Sequence, residues 1–233
     1  HSTSRRQRQM CIRDRFIFMP LKVYDVFIDT NKESTQMPYK HTKKDVSLKL
    51  YPEEYVVLDI ETTGLSPVQN EIIELSAIRV SFGKVKEEFS RLVKPRGFMS
   101  TFITELTGIT PQMLETAPNI EEAILDFKNF CSDYILMGHN ITFDLSFINE
   151  KLQKHHGMQL ENDYIDTLKL ARKFLPQLQS KKLGIIAAHF NLNTDGMHRG
   201  LKDCTVTNLC YEKFLDILNP DKPKQGSLLE NLF

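Results

Sequence analysis

Two acidic residues stand one position apart at the end of an apolar run. Asp59 and Glu61 follow directly after Val56, Val57 and Leu58 in the sequence. Because side chains alternate between the two faces of a strand, both carboxylates point to the same side. Two anions at the end of a buried strand repel each other unless a positive charge neutralises them. A hard divalent cation, which prefers carboxylate oxygens, is the natural counter-charge. The alternative is a strand end that reaches solvent.

A third carboxylate lies on the apolar side of a predicted helix. Asp144 stands three and four positions before Phe147 and Ile148, so the three side chains share one face. Gly138-His-Asn140 precedes this helix at a strand-to-helix junction, the edge where α/β folds place ligands. An acid on an apolar face needs a partner. The alternative is an ordinary first-turn acid, favoured by the helix dipole.

A fourth candidate segment, His198-Arg-Gly-Leu-Lys-Asp203, combines a base with an acid. Its spacing does not place the two side chains on one helix face. The workable arrangement puts His198 on a loop behind flexible Gly196, and Asp203 within the following helix beside the other acids. This signal is weak when taken alone. Asp166 is acidic too, but it directly precedes an apolar-periodic helix, so N-capping is the favoured interpretation.

The elements that must position these residues follow an α/β pattern. Apolar runs predict strands over 55–60, 71–80, 85–93, 134–137 and 164–165. Helical periodicity predicts helices beginning at Asn119, with Glu122 in capping-box spacing, and over 143–155, 167–174, 182–190 and 200–217. Three strands precede the alternating helices and strands, so we expect an α/β sandwich with a mixed sheet.

These segments together resemble the DEDDh family of 3′–5′ exonucleases, which includes the proofreading epsilon subunit of bacterial replicative polymerase, oligoribonuclease and ribonuclease T. The resemblance spans about residues 51–216. The matching segments are Val56–Leu65, Gly138–Asp144 and His198–Asp203, with Leu106–Thr110 and Tyr164–Thr167 as further family segments. Histidine in the third segment indicates the His branch. The resemblance implies a ribonuclease H-like fold, with a mixed five-stranded sheet and helices on both faces.

The resemblance also implies a metal-dependent catalytic site. Two Mg²⁺ or Mn²⁺ ions, roughly 4 Å apart, would bridge the scissile phosphate. Four carboxylates would hold them, namely Asp59, Glu61, Asp144 and Asp203. His198 would be the general base, since an unperturbed histidine pKa near roughly 6.5 suits proton transfer at neutral pH. Four further residues would contact the terminal nucleotide: Thr62, Leu65, Asn140 and Phe143. Ordinary core packing is the alternative for Leu65 and Phe143.

The implied activity is removal of nucleoside monophosphates from 3′ ends, with single-stranded or frayed DNA favoured over RNA. A polymerase or another replication protein is a candidate partner. The alternatives are an RNA-directed exonuclease of the oligoribonuclease or ribonuclease T kind, a different phosphate-ester hydrolase, and a non-catalytic nucleic-acid-binding module on the same fold. Metal-dependent release of mononucleotides separates the exonucleases from the other two.

Charge and composition limit how a nucleic acid could bind. Lys+Arg and Asp+Glu both number 30, so local basic patches or metal ions must hold the anionic partner. One basic cluster comprises Lys169, Arg172, Lys173, Lys181 and Lys182, although a solvated helix face is favoured. Cys11, Cys131, Cys204 and Cys210 lack zinc-ligand spacing and indicate small thiols, most of them buried, in a reducing cytosol. With no apolar stretch of bilayer length, a cytoplasmic protein without membrane contact is expected.

The segments outside this core divide the chain further. Residues 1–15 are basic and unpatterned, and they resemble the translation of a sequencing adapter rather than natural protein. A phosphate-binding basic arm is the alternative. We expect a flexible lead-in over 16–50, the exonuclease domain over 51–216, and a linker with a C-terminal tail over 217–233. The apolar end, Leu228–Phe233, is expected to pack or fray rather than to dock a partner.

Overall fold

The computed structural model of this protein describes residues 44–47, 51–197 and 199–219. The predictions for residues 1–15, for most of the lead-in 16–50, for the tail beyond Asn219 and for Cys11 lie outside these residues. The side chain of His198 lies outside them as well. Within the described ranges, the structure contains no helix long and apolar enough to cross a membrane.

The described strands form one mixed five-stranded sheet, as predicted. They are β1 (Glu54–Thr62), β2 (Ile72–Ser81), β3 (Lys84–Leu92), β4 (Ile135–Gly138) and β5 (Tyr164–Asp166). The order across the sheet is β3-β2-β1-β4-β5. The first three strands pair antiparallel, whereas β4 is parallel to β1 and β5 is parallel to β4. The β2–β3 hairpin and the parallel crossovers therefore meet at β1, in the centre of the sheet.

The helices follow the predicted periodicity, with two additions. They are α1 (Thr101–Thr107), α2 (Pro111–Leu114), α3 (Ile120–Cys131), α4 (Ile141–His156), α5 (Thr167–Phe174), α6 (Leu183–His189) and α7 (Gly200–Leu218). Neither α1 nor α2 was predicted, because one or two turns are too short to show a periodic pattern. Their capping residues are visible in the sequence, since Ser100 and Thr110 accept backbone hydrogen bonds from the first turns.

Two predicted helix starts need correction. α4 begins at Ile141 rather than at Phe143. Asn119 does precede α3, but no capping hydrogen bond from its side chain is present among the described residues. Such shifts of a residue or two are typical of helix ends, where the terminal turn frays. At the other end, α7 ends at Leu218.

Helices cover both faces of the sheet, which confirms the predicted layering. Val56, Leu58 and Ile60 of β1 pack with α3 and α4. Tyr55 and Val57 point to the opposite face and pack with α5, α6 and α7. The strand alternation then places Asp59 and Glu61 on this second face, beneath α7. The core thus determines the side of the sheet to which the acids point.

Residues 44–47 lie along the outer edge of β5. Asp45 forms a parallel bridge with Tyr164, and Val46 N donates to Tyr164 O at 2.9 Å. Ser47 Oγ accepts a hydrogen bond from Asp166 N at 2.7 Å. These four residues pair with the sheet, whereas the sequence pattern predicted no regular structure there.

The described cysteines are buried thiols, as predicted. Cys131, Cys204 and Cys210 are all buried, and the described residues contain no disulfide bond between them. Burial raises the pKa of both Cys131 and Cys210 to about 12. These thiols therefore remain protonated at neutral pH and pack as small apolar groups.

Candidate active site

Three of the four predicted metal ligands meet in one buried group. Asp59, Glu61 and Asp203 offer oxygen atoms that all lie within 4.8 Å of one another. Their exposed fractions are 2%, 1% and 1%. Three carboxylates at this separation repel one another when ionised, and a nearby positive charge would relieve that repulsion. The donor set consists of carboxylate oxygens alone, which fits a hard divalent cation.

The geometry of β1 positions two of these acids. Asp59 lies opposite Ser76 and Glu61 lies opposite Glu74 in the antiparallel register of β1 and β2. The register shifts between Glu61 and Thr62. An irregularity of this kind bends the strand and redirects the side chains beside it. Glu61 is therefore the last acid held by regular pairing before the chain turns away.

A glycine at the start of α7 brings Asp203 to the group. A Cβ atom built on Gly200 would lie only 2.3 Å from Ser76 Oγ and 2.5 Å from Ser76 Cβ. Only glycine therefore allows the first turn of α7 to approach β2 this closely. Asp203 follows within that first turn, where its N–H donates to Arg199 O at 3.0 Å. Gly200 lies within the third family segment, but its sequence context does not reveal this packing role.

The fourth predicted ligand, Asp144, is attached to the same strand. It is completely buried in the first turn of α4, and its Oδ1 accepts a hydrogen bond from Ile60 N at 3.2 Å. Its contact point thus lies between Asp59 and Glu61 along β1, although Asp144 is not one of the three residues grouped within 4.8 Å. Its inward position confirms the prediction from its shared face with Phe147 and Ile148.

A close approach of backbones permits this placement of Asp144. A Cβ atom on Gly138, the last residue of β4, would lie 3.3 Å from Leu58 O and 3.0 Å from Ile141 Cβ. Contacts of that length are tighter than ordinary van der Waals packing. Glycine at this position therefore lets the chain leave β4 and begin α4 directly beside β1.

Two predicted nucleotide contacts lie in the turn after β1. Thr62 is buried, and its hydroxyl donates to Gly64 O at 2.6 Å, so the side chain holds the turn. Leu65 is 37% exposed and lies in the turn four residues after Glu61. The core-packing alternative for Leu65 does not fit this exposure. Its surface is available to an apolar or aromatic group.

The other two predicted nucleotide contacts flank the start of α4. Asn140 precedes the helix with a left-handed backbone, φ 64°, and its N–H donates to Asp166 Oδ1 at 2.9 Å. Phe143 is half-buried and packs on Phe147, with ring centroids 5.0 Å apart. Core packing thus accounts for part of the Phe143 ring and leaves the remainder exposed.

The turn that carries Leu65 is fixed from two sides. A Cβ atom on Gly64 would lie 2.6 Å from the Asn70 side chain, so these two residues pack closely. Lys151 of α4 is buried, and its Nζ donates to Pro67 O at 2.7 Å and to Asn70 O at 2.8 Å. Burial lowers the pKa of Lys151. Lys151 was not predicted as a functional residue, because nothing in its local sequence reveals carbonyl partners so distant along the chain.

Asp166 has the structural role that the sequence favoured. Its carboxylate accepts from Leu168 N at 2.9 Å and so caps α5. The same oxygen accepts the bond from Asn140 N, which ties the start of α4 to β5. Burial raises the pKa of Asp166, against the lowering effect of these backbone hydrogen bonds. Nearby His139 is also engaged through both ring nitrogens, with Thr167 Oγ1 and Lys181 O.

The residues of the predicted basic cluster differ in their exposure and in their partners. Lys169 forms an ion pair with Asp45, with Nζ and Oδ2 2.6 Å apart. Lys182 is buried, while Arg172 and Lys173 are exposed on α5. These positions match the favoured interpretation of a largely solvated helix face. A cavity of about 340 Å³ elsewhere, beside Lys151 and Arg96, contains none of the predicted site residues.

Comparison with known proteins agrees with this geometry. The exonuclease family of the ribonuclease T type matches residues 56–211. DNA polymerase III subunit epsilon of Aquifex aeolicus is 42% identical over 164 residues, which cover 70% of this chain and 81% of that protein. The PolC-type DNA polymerase III of Halalkalibacterium halodurans is 37% identical over 189 residues, which cover 81% of this chain but only 13% of that much longer protein.

A solved structure supports the same fold. Exonuclease X in complex with 5′ overhanging duplex DNA superposes with a TM-score of 0.56 and 26% sequence identity, over 73% of this chain and 94% of that chain. The prediction of a ribonuclease H-like fold and of a nucleic-acid-cleaving hydrolase is confirmed. The chain belongs to the exonuclease family of the ribonuclease T type, and its sequence is similar to that of DNA polymerase III subunit epsilon.

Proposed function

We propose that this protein removes nucleoside monophosphates one at a time from the 3′ ends of DNA, with single-stranded or frayed ends as substrate. The observation that carries the proposal is the convergence of Asp59, Glu61 and Asp203 within 4.8 Å. The burial of these carboxylates supports the preference for unpaired ends. A terminal nucleotide must leave the base stack before its phosphate can reach a buried group.

The same carboxylates would hold two Mg²⁺ or Mn²⁺ ions. Asp59, Glu61 and Asp203 form the observed group, and Asp144, attached to β1 at Ile60 N, would complete the ligand set. Divalent cations there would polarise the scissile phosphate, lower the pKa of the attacking water and stabilise the leaving 3′ oxygen. Carboxylate oxygens alone favour hard ions over softer ones such as Cu(I).

The remaining roles belong to residues around this group. His198 would accept the proton of the attacking water as general base, since it immediately precedes the segment that carries Asp203. Leu65 would wedge against the terminal base, and its exposure on a firmly held turn supports this role. Thr62, Asn140 and Phe143 would line the remainder of the nucleotide site.

The relatives favour DNA over RNA. The two similar proteins are named as DNA polymerase III subunit epsilon and as a PolC-type DNA polymerase III, and exonuclease X was solved with duplex DNA. A polymerase is therefore the proposed partner, with proofreading as the biological role. The cytoplasm is the proposed location, because replicative polymerases of this kind act there.

Digestion of matched oligonucleotides tests the proposal. Single-stranded and duplex DNA and RNA of one sequence, labelled at the 5′ end, are incubated with the purified protein and Mg²⁺ or EDTA. We expect stepwise shortening of DNA from the 3′ end with Mg²⁺, and intact substrate with EDTA. The matched control is Asp59→Asn, which removes one charge at nearly constant shape and should abolish the activity.

Each other outcome contradicts a defined part of the proposal. Faster digestion of RNA would favour the RNA-directed alternative. Internal fragments instead of a ladder would indicate a different phosphodiesterase. Binding without any metal-dependent cleavage would indicate a non-catalytic module.

A further inference from the structure

A further buried carboxylate lies beside Glu61 on the same face of the sheet. Glu74 of β2 is only 1% exposed and pairs directly with Glu61 in the antiparallel register. Side chains of residues directly opposite each other share one face, with Cβ atoms about 4.5–5.5 Å apart. Two buried glutamates this close are unfavourable unless each has its own compensating charge. Glu61 belongs to the group of three acids, so Glu74 must be stabilised differently.

Glu74 is stabilised by the start of α7. Its Oε1 lies 3.4 Å from Arg199 Nη2, and its Oε2 accepts a hydrogen bond from Gly200 N at 3.3 Å. Gly200 is the first residue of α7, and the first N–H groups of a helix have no partner within the helix. Within the described residues, the preceding Arg199 makes no side-chain capping bond. Glu74 therefore caps α7 from a neighbouring strand, with its charge at the positive end of the helix dipole.

The residues that Glu74 contacts are the ones that hold Asp203. Arg199 O accepts the hydrogen bond from Asp203 N at 3.0 Å, which closes the first turn of α7. Gly200, the other residue bound by Glu74, lies so close to β2 that it has no room for a side chain. A movement of this first turn would therefore move Asp203 relative to Asp59 and Glu61.

We infer that Glu74 is a positioning residue, which fixes the first turn of α7 so that Asp203 meets the acids of β1. Glu74 lies next to the candidate metal ligands but is not among the three grouped carboxylates; its carboxylate contacts Arg199 and Gly200 N instead. The inference rests on the proposed function for its consequence in catalysis. The placement of Asp203 itself is measurable without any nuclease substrate.

A purely stabilising role for Glu74 predicts different results. Arg199 is half exposed at its side chain, so its ion pair with Glu74 contributes little to stability by itself. If Glu74 only stabilised the fold, its loss would lower the melting temperature and leave the folded molecules fully active. If Glu74 positions Asp203, its loss weakens metal binding and slows cleavage in molecules that remain folded.

The test compares Glu74→Gln and Glu74→Ala with the wild type. Glutamine keeps an oxygen that can accept from Gly200 N but loses the charge facing Arg199, whereas alanine removes both interactions. Three quantities are measured: Mn²⁺ affinity by calorimetry without substrate, kcat and KM on single-stranded DNA at fixed Mn²⁺ concentration, and the melting temperature. The matched control is Glu87→Gln. Glu87 of β3 pairs with Arg79 in the same sheet at 2.7 Å, and Arg79 also donates to Phe130 O of α3, on the face of the sheet opposite to α7.

We expect Glu74→Ala to weaken Mn²⁺ binding and to lower kcat by about 10–100-fold each, as for residues that orient metal ligands. KM should stay within about twofold, because the nucleotide contacts are untouched. Glu74→Gln should retain more of both quantities than Glu74→Ala, and Glu87→Gln should match the wild type. If Glu74→Ala does not fold, Glu74→Gln alone carries the comparison.

Wild-type Mn²⁺ affinity and kcat in folded Glu74→Gln and Glu74→Ala would overturn the inference. A different result would be a wild-type protein that cleaves no nucleic acid, together with Glu74 variants that bind Mn²⁺ more weakly than the wild type. That result would contradict the proposed function but would support the positioning role of Glu74. The two failures are thus distinguishable.

Discussion

Substitution of Gly200 by alanine should separate activity from stability. The added Cβ would lie 2.3 Å from Ser76 Oγ, and it must retreat by at least about 0.7 Å to reach the 3.0 Å that real Cβ atoms respect. The retreat moves the first turn of α7, which carries Asp203, away from β2. A displacement approaching 1 Å in a catalytic group costs about 100-fold in rate. Gly200→Ala should therefore lower kcat by about that factor.

The same substitution should change stability only modestly. Overpacking costs about 1–3 kcal/mol. Alanine is favoured over glycine within a helix by about 1 kcal/mol, which offsets part of this cost. Gly200 is not among the described glycines with positive φ, so its backbone accepts alanine without strain. A net loss of about 0–2 kcal/mol follows, too small to unfold a typical domain.

The assay is single-turnover cleavage of a 5′-labelled DNA strand, combined with urea unfolding. Gly184→Ala is the matched control, because a Cβ there would meet its nearest neighbour, Met197, at an ordinary 3.9 Å. The double variant Gly200→Ala/Ser76→Gly should recover much of the rate, since it removes the atoms that clash. Wild-type cleavage by Gly200→Ala, or no recovery in the double variant, would refute the proposed close approach of α7 to β2.

Three further changes have defined outcomes. Leu65→Ala should raise KM for single-stranded DNA about 5–30-fold, which is equivalent to about 1–2 kcal/mol of lost apolar contact. The melting temperature of this variant should stay near that of the wild type, because the Leu65 side chain is partly exposed. Lys151→Met should lower the free energy of urea unfolding by about 2–4 kcal/mol, because two hydrogen bonds from a charged group to carbonyls are lost; an unchanged value would show that the turn is held otherwise. The free energy of unfolding should fall as pH rises above 9. Burial raises the pKa of Cys131 and Cys210 to about 12 in the folded protein, so these thiols release their protons at lower pH in the unfolded chain. A free energy of unfolding that stays constant between pH 9 and 11 would contradict the burial of these thiols.

The sequence alone predicts the orientation of the site acids within β1 and α4. Alternation along β1 suffices to place Asp59 and Glu61 on one face, and the structure finds them there. The helical period likewise predicts that Asp144 points inward. Local periodicity carries these predictions, because each depends on a few neighbouring residues in one element.

The convergence of the site depends on tertiary contacts that no local pattern contains. The spacing of His198 and Asp203 is compatible with many arrangements, so by itself it is a weak indication that Asp203 lies beside the acids of β1. Glu74 looks like an ordinary strand residue until β2 is aligned beside β1 and α7 is placed across both. The role of Lys151 likewise depends on its hydrogen bonds to two carbonyl groups in a turn that is distant in the sequence.

A crystal structure of the protein with Mn²⁺ and a nucleoside monophosphate would be the most direct examination of the central claim. The anomalous signal of manganese locates the ion independently of any assumption about the site. The account predicts a peak about 2 Å from carboxylate oxygens of Asp59, Glu61 and Asp203, at the end of β1. A nucleotide bound without such a peak, or manganese held by other side chains, would contradict it.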